Sequence, residues 1–262
     1  ESYNLARKCG FDNINVDLMS ALPGQTLKSY EETLNKVVRL EPEHISAYSL
    51  IVEENTLMYD RVKKAHIKGI NILPDEESER KMYYLTNNIL RSNGYRKYEI
   101  SNYSKPGKEC KHNIGYWQRK EYLGFGIGAA SLYKENRYNN ISDINKYIEV
   151  LTNNIKENSI NNVGNSSEVE NQVNILNSIV KNLQQLTERD RMEEFMFLGL
   201  RMMEGVSMEK FERYFGKPYM EVYGKVQEKM EDKRFLINDN GYVKLTEFGI
   251  DLSNYVMSEF LF

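Results

Sequence analysis

The sequence predicts an α/β chain that ends in a winged-helix-like helical domain. Three observations carry this expectation. Residues 13–52 read as strand, helix, strand. Residues 153–174 are rich in Asn and Ser and poor in large apolar side chains. Residues 187–262 read as three helices, a hairpin and a closing helix. A strand–helix–strand unit lays its two strands parallel and needs helices over the sheet. A long polar stretch between patterned segments marks a boundary.

Taken in order, residues 3–9 read as the last turns of a helix stopped by Gly10. A chain that opens inside a helix, on Glu1, is expected to be a piece of a longer one. Residues 13–19 alternate, with Ile14, Val16 and Leu18 on one face and Asn15, Asp17 and Met19 on the other. Pro23-Gly24 turns the chain. Ser29 and Glu32 form a capping-box pattern, and Leu34, Val37, Val38 and Leu40 give the following helix an apolar face that Pro42 ends. Residues 44–52 form a second, more apolar strand. A lone βαβ unit leaves strand edges bare, so further strands are expected before residue 1 and a half sheet is expected to be marginally stable.

Residues 58–65 predict a short helix and residues 75–92 a long one capped by Gly94. Residues 95–103 predict a strand, and Pro106-Gly107 a turn. Residues 144–151 predict an amphipathic helix and 175–186 another. The last unit predicts helices over 187–203, 207–214 and 218–232, then strands 235–237 and 242–245 around Asn238-Asp239-Asn240-Gly241, a hairpin signal, and a helix over 246–261. The domain limits that follow are 1–57, 58–152, 153–186 and 187–262.

Composition narrows the function classes. A net charge of −3, 40% hydrophobic residues and 28% charged residues are ordinary for a globular protein. No run of about 18 apolar residues and no signal sequence is visible. Two cysteines, Cys9 and Cys110, make no disulfide framework and fit a cytoplasmic setting. A winged helix can read DNA, but residues 187–234 carry eleven acids against ten bases, and a phosphate-binding face needs a basic excess. No nucleic-acid partner is expected.

The chemistry concentrates at 111–131, KHNIGYWQRKEYLGFGIGAAS. This stretch holds the only tryptophan, Trp117, and one of three histidines, His112. Gly124, Gly126 and Gly128 follow at every second position. Bare backbone beside a histidine and aromatics suits a flat or bulky ligand; the alternative is a helix start followed by a glycine-rich strand. Gly124-x-Gly126-x-x-Ala129 matches a dinucleotide fingerprint only formally, because no second strand is evident after it. Cys110-x-His112 supplies two ligands, too few for a zinc site. Asp17, in an apolar strand near its C-terminal end, is where barrel-like α/β folds keep ligand contacts; a structural carboxylate bonded to neighbouring amides is the alternative. His66 reads as surface and His44 as a satisfied structural histidine.

The segments NINVDLMSALPGQT (13–26), PEHISAYSLIVEENT (42–56), ISNYSKPGKECKHNIGYW (100–117), YLGFGIGAAS (122–131) and EEFMFLGLRMMEGV (193–206) occur in that order. Together they closely resemble the HemW-type radical SAM family, relatives of oxygen-independent coproporphyrinogen III oxidase. His112-Asn113-x-x-Tyr116-Trp117 resembles the mark of the heme-chaperone branch. The resemblance implies the C-terminal part of a partial (β/α) radical SAM barrel, then a mixed α/β region, then the winged-helix-like domain. It implies heme binding and delivery to heme-acceptor proteins, with the oxidase reaction on porphyrin side chains as the alternative and a homodimer as an option. By similarity, Asp17, Ile51 and Ala130 are candidate S-adenosylmethionine contacts. His112 is the candidate heme-iron ligand, with Tyr116 and Trp117 forming an apolar wall; an axial imidazole is ordinary heme chemistry. The family's [4Fe–4S] cluster sits on a C-x-x-x-C-x-x-C motif that this sequence lacks, so the chain alone is expected to be catalytically inert.

Overall fold

The computed structural model describes the backbone of residues 1–160 and 178–262, and side chains outside 153–177. Helix α1 (Ser2–Lys8) leads to strand β1 (Asn15–Ser20), helix α2 (Leu27–Val38) and strand β2 (His44–Ser49). β1 and β2 pair in parallel from Asn15 opposite His44 to Ser20 opposite Ser49, as the βαβ reading requires. The even face of β1 is the apolar one: Val16 and Leu18 pack with Tyr30, Leu34 and Val37 of α2. The cap of α2 is Thr26 with Ser29, not the expected Ser29 with Glu32: the Ser29 amide donates to Thr26 Oγ1 at 3.1 Å and the Thr26 amide to Ser29 Oγ at 3.0 Å. The helix therefore starts three residues earlier.

Helices α3 (Leu57–Ile67) and α4 (Glu76–Ser92) follow. The strand expected over 95–103 is two: β3 (Arg96–Glu99) and β4 (Asn102–Ser104), antiparallel to each other, with β4 also antiparallel to β2. A tight turn at Ile100-Ser101 reverses the chain, held by the Ser101 amide on Glu99 Oε1 at 2.8 Å. The sheet order is β1-β2-β4-β3. Its apolar face is covered by α2 and α4 around Leu34, Ile45, Met82, Leu90, Tyr95 and Tyr103.

Helix α5 (Lys111–Trp117) is short. After the glycine segment come β5 (Ala130–Tyr133) and β6 (Asn136–Asn140), then helix α6 (Ile144–Ile160) and strand β7 (Val180–Gln185). These strands form an antiparallel sheet β5-β6-β7. Two expectations change here. The polar run after Tyr133 is a hairpin partner, turned by Lys134 and Glu135 with φ of 48° and 59°, the twist that two-residue hairpins need. Residues 180–185 are a strand rather than a helix, because β6 offers them a ladder. The helix expected over 175–186 also begins outside the described residues, and so does most of the Asn-rich stretch; α6 runs into it as far as Ile160.

The last unit is α7 (Glu188–Gly199), β8 (Val206–Ser207), α8 (Met208–Phe215), α9 (Tyr219–Asp232), the hairpin β9 (Leu236–Asp239) and β10 (Tyr242–Leu245), and helices α10 (Glu247–Asp251) and α11 (Ser253–Ser258). Three helices and a β8-β10-β9 sheet make it winged-helix-like, as expected. The closing helix is two short ones. A second core fills this unit, built on Met196, Leu200, Phe211, Tyr219, Tyr223 and Phe260. The unit docks on the first sheet by backbone bonds at its rim: the Ile100 amide donates to Arg201 O at 3.1 Å and the Met203 amide to Tyr98 O at 3.0 Å. Among the described residues no helix is long and apolar enough to cross a membrane.

Candidate functional site

α5 carries the HNIGYW segment. Spacing of i, i+4 puts His112 and Tyr116 on one helix face. Their rings meet edge to face at 4.7 Å, and Tyr116 meets Tyr122 in the same manner at 4.6 Å. His112 is exposed, so an accessible imidazole stands at the end of an aromatic row. Tyr122 is the ring beside Tyr116. Trp117 falls on another face of the helix and lies under the Arg201 guanidinium at 4.4 Å, in the wall of a 240 Å³ cavity shared with Phe195, Met202, Val206 and Tyr242.

The second group is the polar face of the first sheet. Asn15, Asp17, His44, Ser46 and Tyr48 line an open cleft of about 730 Å³ whose other wall is Lys108–Lys111 and Asn113. Asp17 is exposed, not held in the strand's interior; its carboxylate accepts from Asn15 Nδ2 at 2.7 Å. The alternation that buries Val16 and Leu18 turns Asp17 outward. His44 is buried and bonded on both nitrogens, Nδ1 to Asn15 Oδ1 at 2.7 Å and Nε2 to the Tyr98 hydroxyl at 2.9 Å. Burial holds the imidazole pKa below its ordinary value, against the pull of Asp17 and Glu109. A neutral ring donates from Nδ1 to the carbonyl oxygen and accepts from Tyr98 at Nε2. His44 is thus the satisfied structural histidine the sequence predicts, and it ties β1 to β3.

The glycine segment is a looped platform rather than a strand. A Cβ on Gly124 would lie 2.2 Å from the Ala130 carbonyl oxygen. Asn140 Nδ2 donates to Gly124 O at 3.1 Å and Gly126 O at 2.8 Å. The loop so held exposes Leu123, Phe125 and Ile127.

Of the expected S-adenosylmethionine contacts, Asp17 lines the polar cleft. Ile51 lies beyond the end of β2 and is 77% exposed, and Ala130 starts β5 in another sheet. Neither lines the cleft that Asp17 lines, so the three do not assemble one site here. Cys9 and Cys110 are free thiols, and the described residues contain no group of three or more His, Cys, Asp or Glu fit to hold a metal ion. That donor set does not suit an iron–sulfur cluster, which takes several thiolates. His112 does suit a heme iron.

A further cluster was not foreseen. Arg119 Nε donates to Glu194 at 2.7 Å, its other nitrogens bond Glu135, and Arg137 meets Glu194 at 3.0 Å.

Comparison with known proteins fits this geometry. Residues 186–252 match the HemN C-terminal domain family. Over 261 residues the chain is 35% identical to the heme chaperone HemW of Lactococcus lactis, covering all of this chain and 62% of that protein. It is 34% identical over 260 residues to the heme chaperone HemW of Bacillus subtilis, covering 99% and 62%. Over its whole length the chain is similar to these HemW proteins. It spans a little under two thirds of the length of these relatives. Its fold is that of coproporphyrinogen III oxidase (HemN) from Escherichia coli, described as a radical SAM enzyme: TM-score 0.72 at 18% identity, over 98% of this chain and 57% of that one. The match to the HemW proteins covers α5 and both units of this chain.

Proposed function

We propose that this HemW-like protein binds heme through His112 and passes it to heme-acceptor proteins. The reading rests on one observation: an exposed imidazole beside the Tyr116–Tyr122 aromatic row. Bound heme supplies an iron centre with an open axial position for a nitrogen ligand. The chain's part is to present that nitrogen and an apolar edge. Tyr116 and Tyr122 offer ring faces and edges to a flat macrocycle, and Lys111, next to His112, offers a cation to a propionate. Release to an acceptor needs a ligand site open to solvent, which His112 has. The name borne by the relatives, heme chaperone, agrees with this reading.

A heme titration followed by the Soret band tests it. The parent protein is expected to bind saturably, and His112→Ala to bind at least about tenfold more weakly, as for loss of an axial bond of about 1.4 kcal/mol or more. Equal binding by the variant would move the ligand elsewhere. Conversion of coproporphyrinogen by the full-length protein would favour the oxidase reading instead.

A further inference from the structure

Arg119 stands where a glycine belongs. α5 ends in a Schellman closure: the Lys120 amide donates to Gly115 O at 2.9 Å and the Arg119 amide to Tyr116 O at 3.0 Å. That closure requires a left-handed residue, and Arg119 has φ of 57°. Glycine takes this conformation freely, whereas a side chain with a Cβ pays for it. A residue kept in a sparsely populated conformation points to a task for its side chain.

The task is visible in the contacts. The Arg119 side chain is 5% exposed, and its fork reaches two elements at once. Nε meets Glu194 on α7 at 2.7 Å. Nη1 and Nη2 meet Glu135 in the β5–β6 turn, and Nη1 also meets the Tyr214 hydroxyl of α8 at 3.3 Å. Tyr214 in turn donates to Glu135 at 2.7 Å. Glu135 itself is left-handed, in its turn. Lysine has the charge but not the fork that serves two carboxylates in one plane. Two residues upstream, Trp117 lies against Arg201. The end of the HNIGYW helix is therefore fastened to the winged-helix-like unit and to the hairpin.

We infer that Arg119 is a positioning residue, a three-way clasp with Glu194 and Glu135 that sets the helix carrying His112 against the C-terminal unit and so governs how the imidazole meets heme. The inference rests on the heme reading of His112 for its consequence, and on geometry alone for the clasp.

Trp117, the only tryptophan, reports the clasp without heme. The decisive variant is Arg119→Gly with Glu194→Gln: glycine relaxes the backbone, and the amide removes the buried carboxylate that would keep Arg137 as its remaining ion-pair partner. The expected result is unchanged far-UV circular dichroism, a red shift of Trp117 emission, and a heme spectrum that has lost part of its His112-dependent ligation signature. Arg119→Lys is expected to move in the same direction by a smaller amount. Unshifted Trp117 emission in the folded double variant overturns the clasp. Shifted emission with heme ligation identical to the parent's overturns its role in placing His112. If the double variant loses its folded spectrum, Arg119→Lys decides by the same two readings. His112→Ala, run beside them, separates the causes: equal heme binding there sinks the heme reading while leaving the Trp117 result to judge the clasp.

Discussion

His44 is the residue at which acid first reaches the sheet. Its folded pKa lies below 6.5, because burial disfavours the imidazolium. In the unfolded chain the ring titrates near 6.5. Between the folded and unfolded values the unfolded state binds the extra proton, so stability falls as pH drops below about 6.5 and levels off once the folded ring protonates. Urea midpoints at pH 8 and pH 5.5 are expected to fall with acid in the parent and to fall less in His44→Gln; equal slopes would assign the acid sensitivity elsewhere. His44 was legible as structural because it stands at the start of a strand. Asp17 was legible as to face but not as to burial. Alternation assigns sides, and only the sheet order places that side on an open cleft. Arg119 was not legible, since its meaning depends on where α5 ends and on what lies 75 residues away at Glu194.

Among elements, the glycine loop leaves its backbone little room. Gly124 passes so close to Ala130 that any Cβ collides with backbone. Gly124→Ala is expected to lose about 1–3 kcal/mol of stability, the usual cost of overpacking, read as a lower urea midpoint at unchanged slope. A neutral result would mean that the loop shifts freely. Local signals carried the elements that depend on local contacts. The apolar stripe of α2, the 75–92 span of α4 and the Asn240-Gly241 turn each agree with the structure to within a few residues. β7 was misread because its side chains are mostly exposed and its only reason to be extended is β6, some forty residues earlier. The split of 95–103 into β3 and β4 hangs on Glu99, a side chain that serves the turn rather than the strand.

At the scale of the molecule there are two cores, one under α2 and α4 and one within the winged-helix-like unit. Among the described residues, the contacts that join them include the backbone seam at β3, the packing of Ile100 on the second core and the bond from Tyr84 to Asp251 at 2.5 Å. Phe211, fully buried in the second core, is expected to cost that unit about 3–5 kcal/mol as Phe211→Ala. Denaturation followed by Trp117 emission and by circular dichroism should then separate into two steps; a single coincident transition would show that the cores unfold together. The division into α/β and winged-helix-like parts was readable from periodicity. Their joining was not, because it runs through the backbone of residues 201–203, which the sequence pattern assigns to the helix over 187–203, whereas that helix ends at Gly199 and Met202 pairs with Glu99.

That seam has a consequence for solubility. An uncovered strand rim is a template on which another chain can zip, and residues 201–203 occupy the rim of β3 as a built-in guard. A nick in the connection before Thr187 that released the C-terminal unit would bare β3. What remained would carry an adhesive edge there and grow by strand pairing, so clumping, rather than simple loss of ligand, would be the first sign of damage.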